Sequence, residues 1–187
     1  MNMQKFTQKS LEAVQSAQSL ATQFGNQQIE QLHLLGALLR QENGLIPQLL
    51  TKMGLTLPSF EAAVKAGLQR LPQVTGGSRE MGKIYIAQEV DKTLNTAEAI
   101  AGNMKDEYVS VEHLFLALVR TASGTLKSLF QEYRVTEEGV LQALSTVRGN
   151  QRVVSDNPEE TYDALKKYGS DLVERARRNQ LDPVIGR

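Results

Sequence analysis

Apolar side chains recur at helical spacing along the first 150 residues. Phe6, Ala13, Val14, Ala17, Ala21 and Phe24 form one stripe, and Gly25 and Asn26 end it. The next stretch, 32–41, is apolar almost all round, the pattern of a helix buried on every side. Leu45, Ile46, Leu49, Leu50 and Met53 predict a third helix closed by Gly54; Phe60, Val64, Leu68 and Leu71 predict a fourth. The set then repeats. Ile86, Val90, Leu94, Ala97, Ala101 and Met104 form a stripe that stops near Lys105 and Asp106, and 112–121 is again apolar all round. Leu126, Leu129, Phe130 and Tyr133 follow, then Val140, Ala143, Leu144 and Val147. No stretch alternates with period two long enough to predict a strand.

The recurrence is a duplication at a single ungapped offset of 80 residues. His33, Leu34, Ala37, Leu38 and Arg40 fall on His113, Leu114, Ala117, Leu118 and Arg120. The same offset pairs Gln8 with Gln88, Ala17 with Ala97, Ala21 with Ala101, Gly44 with Gly124, Leu49 with Leu129 and Ala63 with Ala143. The expected fold class is therefore all-α: two pseudo-symmetric four-helix repeats, 1–72 and 81–148, packed as one domain over 1–148. Each repeat is expected to hold a complete apolar core. Pro72, Gly76 and Gly77 predict a loop between the repeats, and 149–160 reads as a polar linker. Asn157, Pro158 and Glu160 have the order of a helix cap, first helical residue and capping-box partner, with a further helix expected over 171–179. The stretch 151–187 is expected to be loosely held, with 149–160 cut first by protease.

Composition narrows the chemistry. Aromatic residues are only 5% and tryptophan is absent, so the core must rest on Leu, Val, Ile and Ala. With no cysteine there is no disulfide and no thiolate metal site. No apolar run is long enough to span a membrane, and the first residues lead straight into an amphipathic pattern, so a cytoplasmic protein that binds no membrane is expected. The net charge is zero, with 21 basic and 21 acidic side chains, and no basic cluster suggests a nucleic-acid partner. The acidic residues concentrate in 73–160, which holds thirteen of them against nine basic ones.

No catalytic constellation emerges, and the chain is read as a non-enzyme. A phosphate loop needs glycines followed by Lys and Ser or Thr; Gly76 and Gly77 lack the lysine. His33 and His113 stand 80 residues apart with no further ligand at metal spacing, so they are read as packed near helix starts. Glu12, Glu30, Asp106, Glu107 and Glu112 offer carboxylates but no acid/base pair. Protein binding needs apolar surface with a polar rim. Leu20 and Ile100 lie off the main stripe of each first helix; Tyr108 and Val111 lie on the turn before the second buried helix, with Asp106 and Glu112 beside them. Together with Thr7, either a rim residue or a helix cap, these are the candidate site residues. For each apolar one, core packing is the alternative.

Three passages resemble a known family. IEQLHLLGALL and VSVEHLFLALV resemble the two repeats of Clp-family N-terminal domains. LQRLPQVTGG is similar to the linker between the repeats of ClpB-type chaperones. LKKYGSDLVERARRNQLDPVIGR, over 165–187, resembles the opening of the first AAA+ ATPase module, which would then begin near 161. The resemblance implies the N-terminal domain of an ATP-driven disaggregase active in stress recovery, with unfolded or aggregated client proteins as partners. The parent would be a homohexamer that uses ATP and Mg²⁺ and cooperates with other chaperones; these 187 residues alone would bind no cofactor and remain monomeric. The adaptor-docking N-domain of a Clp protease ATPase is the alternative function.

Overall fold

A computed structural model of the chain describes residues 3–74, 84–149 and 151–159. The expected helices over 161–187 and the glycines at 76 and 77 lie outside the described residues. Thr7, in extended backbone, caps α1 (Gln8–Gln23) by accepting the Ser10 amide at 3.2 Å. The helix ends where Gly25 turns left-handed at φ 71°. Then come α2 (Gln31–Arg40), α3 (Leu45–Lys52), ended by Gly54 at φ 90°, and α4 (Leu57–Gln69), with Pro58 in its first turn. The second repeat supplies α5 (Gln88–Asn103), α6 (Val111–Thr121), α7 (Gly124–Glu132) and α8 (Glu137–Arg148). Its helix stops use the same geometry at the same offset without glycine: Lys105 at φ 61° replaces Gly25 and Arg134 at φ 56° replaces Gly54. A side chain there costs roughly 1–2 kcal/mol, which the surrounding packing must offset.

Helices α2 and α6 form the centre. Leu32 through Leu39 and Val111 through Leu118 are buried without a break. Helix α1 lies along α2 and α5 along α6, while α4 and α8 cover the other side. The third and fourth helices cross over: α3 packs on α8, and α4 on α7. One continuous core results, where the sequence pattern suggested one per repeat. An aromatic cluster joins the halves. Phe60 stacks on Phe130 at 6.4 Å and meets Tyr133 edge-on at 5.0 Å, and Phe130 meets Phe115 at 5.9 Å.

Contrary to the sequence reading, two short strands are present. β1 (Gln28–Ile29) and β2 (Tyr85–Ile86) pair in parallel, with Ile29 opposite Ile86. An isolated parallel bridge joins Phe6 to Val109. The two pairings are one motif seen twice, since Phe6 maps to Ile86 and Ile29 to Val109. In each, the residues leading into the first helix of one repeat pair with the turn before the buried helix of the other. Thr7 N–H donates to the Val109 carbonyl at 2.9 Å, and Ala87 N–H to Ile29 at 3.0 Å.

Both histidines occupy the third helical position and close a capping box. His33 Nδ1 accepts the Glu30 amide at 2.8 Å, which leaves Nε2–H to donate to Asn26 Oδ1 at 2.8 Å. His113 does the same with the Ser110 amide at 2.9 Å and Asp106 Oδ2 at 2.7 Å. His33 has only an amide for its outer partner, so burial lowers its pKa from 6.5 to about 4. A depressed histidine pKa favours the fold fully above pH 6.5, and that contribution is lost as pH falls from 6.5 through 4. In urea denaturation the His33 contribution should therefore fall by up to about 3 kcal/mol between pH 7 and 4. His33→Gln should flatten this part of the profile; an unchanged profile would assign the loss to other groups.

Candidate functional site

The structure divides the sequence-predicted site. Leu20 and Ile100 are each 4% exposed and Val111 is 1% exposed, so all three pack in the core. Leu20 and Ile100 are buried although they lie off the main stripe, because α1 and α5 are covered on two sides, which buries an arc wider than a single stripe. Tyr108 is half-buried. Thr7, Asp106, Val111 and Glu112 do come together, at the N-terminal ends of α1 and α6, but as a buried cluster. Thr7 takes the cap role at its helix start.

That cluster is ionic. Arg148, at the end of α8, donates to Asp106 and, at 3.4 Å, to Glu112, and all three side chains are buried. Burial alone would raise the Asp106 carboxyl. Hydrogen bonds from His113, the Val153 amide and Arg148, with the Arg148 charge, hold it below the ordinary carboxylate range instead. Glu112 also accepts from the Ser110 hydroxyl. The cluster is closed by 151–159, which the sequence reading left as a loosely held linker. Val153 is fully buried; Glu159 accepts from Thr7 Oγ1 at 2.8 Å and from the Val111 amide at 3.2 Å. Sequence reading missed Arg148, Val153 and Glu159. One signal was available: Arg148 stands at the offset position of Leu68, a charge where the other repeat has a core residue.

The first repeat carries a groove whose walls are mostly apolar. Leu20, Phe24, Gly36, Leu39, Val64 and Leu68 line a groove of about 300 Å³ between α1, α2 and α4. Gln23, Arg40, Glu61 and Lys65 form an exposed rim of mixed charge. Gly36 makes the floor: a Cβ there would stand 3.2 Å from Leu20 Cδ1 and 3.5 Å from Leu68 Cδ1. At the corresponding place on the second repeat, Leu116 replaces Gly36 and is buried, and Arg148 replaces Leu68. Only a shallower depression of about 200 Å³ remains there, beside Met104, Leu141 and Arg152. Arg152 reaches across it to the Met104 carbonyl at 2.6 Å. Among the described residues no cluster of His, Asp or Glu is arranged to hold a metal ion, and no helix is long and apolar enough to cross a membrane.

Residues 5–133 match the Clp repeat (R) N-terminal domain, and the chain belongs to that family. Along its whole length it is 45% identical to the chaperone protein ClpB of Nitratidesulfovibrio vulgaris and 41% identical to ClpB of Bacillus cereus. It spans 22% of the length of each of these relatives. The fold is that of the Hsp104 N-terminal domain of Candida albicans (TM-score 0.73, 24% identity, 83% of this chain and 99% of that one). It is also that of a ClpV N-domain solved in complex with a VipB peptide (TM-score 0.60, 19% identity, 84% of this chain and 91% of that one).

Proposed function

We infer that this chain is the client-binding N-domain of a ClpB-type disaggregase, and that its groove for unfolded segments is the α1–α2–α4 groove of the first repeat. One observation carries the reading: the pseudo-symmetric fold builds this groove twice, and the copy floored by Gly36 is the larger, about 300 Å³ against about 200 Å³. The groove is apolar, shallow and rimmed by both charge signs, which suits brief capture of many sequences. That a ClpV N-domain of this fold takes a peptide supports the same use. ATP, Mg²⁺, a homohexameric assembly and cooperation with other chaperones are proposed for the whole chaperone.

Burying one or two client side chains is worth roughly 1.5–3 kcal/mol each before ordering costs, so micromolar or weaker affinity is expected. Amide chemical shifts followed during titration with a permanently unfolded polypeptide should move around Phe24, Leu39 and Lys65. Phe24 is only half-buried, so Phe24→Ser should weaken binding about tenfold, one apolar contact's worth, while the fold survives. Gly36→Ala should weaken it as well by filling the floor. The gain in helix propensity should offset the tight approach to Leu20, leaving stability near that of the parent. Leu141→Ser, at an exposed site on the second repeat's counterpart, should change nothing. If both groove variants bind as the parent does, the reading of the groove fails.

A further inference from the structure

Residues 151–159 run back across the second repeat and touch three separate elements. Glu107 N–H donates to the Val153 carbonyl at 2.7 Å, and Val153 N–H to Asp106 Oδ1 at 2.9 Å. Gln8 N–H, at the start of α1, donates to the Asp156 carbonyl at 2.8 Å. Glu159 then seats its carboxyl between Thr7 and the first amide of α6. The first repeat is crossed in the same way by the chain that leaves it: Val74 N–H donates to the Gly25 carbonyl at 2.9 Å, and Asn26 donates to Pro72 at 2.9 Å. The second crossing differs in its anchor. A carboxyl is driven into a nearly closed site, 8% exposed, where Oε1 finds no hydrogen-bond partner.

We propose that 151–159 is a strap that docks and releases as one unit through Val153 and Glu159, setting the direction in which the chain leaves the second repeat. The grip is built to be reversible. Its apolar anchor is essentially one valine and the neighbouring Pro158, since Val154 is 63% exposed. Its polar anchor works against itself. The Glu159 carboxyl faces Glu112 of α6; Lys9 of α1 and Glu42 of the α2–α3 turn line the same depression. Arg148 of α8, a buried cation, is engaged with Asp106 and Glu112, and His113 donates to Asp106. Burial first, and the Glu112 charge second, raise the Glu159 pKa from 4.5 to about 7. A raised carboxyl pKa favours the docked state fully below pH 4.5, and that contribution is lost as pH rises through 7. Between pH 6 and 8 this linkage weakens docking about tenfold.

The test is amide exchange of the 187-residue chain by nuclear magnetic resonance at pH 6 and 8, expressed as protection factors so that intrinsic rates cancel. Gln8, Glu107 and Val153 report the strap; Thr7 and Tyr85, whose amides bond elsewhere, report the rest of the fold. The three strap amides should lose protection together, about tenfold, while Thr7 and Tyr85 hold steady. Glu159→Gln keeps an acceptor for Thr7 without the charge; it should stay protected at pH 8 and lose the pH dependence. Val153→Asp should lower Gln8 and Glu107 protection at both pH values without unfolding the helices. Independent behaviour of the three amides, a pH dependence that persists in Glu159→Gln, or unchanged protection in Val153→Asp would each overturn the strap.

Discussion

Arg148→Met should be among the most damaging single changes in the domain. The replacement fits the stem of the arginine but leaves the Asp106 and Glu112 carboxylates facing each other, both fully shielded from solvent, with no cation between them. Breaking a buried ionic cluster by removing one member costs about 3–5 kcal/mol, because the remaining charges have lost both water and counter-charge. For a domain of this size that is a fall in melting temperature of roughly 10 °C or more, visible by circular dichroism. The pH dependence separates charge from packing. In the parent, the lowered Asp106 pKa gives stability above the ordinary carboxylate range that is lost as pH falls through it. In the variant, protonation relieves the repulsion, so the gap between the two proteins should narrow as pH falls toward 4. A gap of constant size would mean that packing alone had been lost.

Phe60→Ala should rival it by a purely apolar route. Phe60 is fully buried in α4 and contacts rings of α7 and of the turn that follows it, so its removal hollows out the seam between the repeats. Truncating a buried phenylalanine costs about 3–5 kcal/mol from lost transfer energy and the cavity left behind. The loss should be insensitive to pH, and unfolding should remain a single transition, because one core serves both halves. Two resolved transitions would show that the repeats melt separately.

The helices were legible because each carries its stripe twice, and a duplicated pattern averages out chance. Even the stop at Lys105 was visible from the position of Gly25, although lysine gives no local sign of a left-handed turn. The strands were illegible for a physical reason: two residues are too few to show alternation, and their partners lie in the other repeat. The histidines read correctly as residues at helix starts, but not as closing groups of capping boxes, where Glu or Gln is the usual signal. The burial of the candidate site residues was the least legible. Val111 stands between Ser110 and Glu112 in sequence and Ile100 lies off the main stripe, yet both are core in space. The difference between the two grooves was written in the mismatches of the repeat alignment, Gly36 against Leu116 and Leu68 against Arg148, which attention to the matches passed over. Contacts such as Thr7 with Glu159 span nearly the whole described chain, and no local spacing announces them.

The reciprocal pairing of Phe6 with Val109 and of Ile29 with Ile86 gives the seam between the repeats the form of an isologous interface, in which each side offers the other the same patch. Two separate copies of one repeat would have to meet by diffusion to make it, and their stability would rise and fall with protein concentration. Tethering the copies supplies each half with its partner at an effective concentration on the order of millimolar, however dilute the protein. The tether also frees the two copies from being identical. That freedom is what lets one keep a glycine where the other has a leucine, and lets a symmetric scaffold present an asymmetric surface.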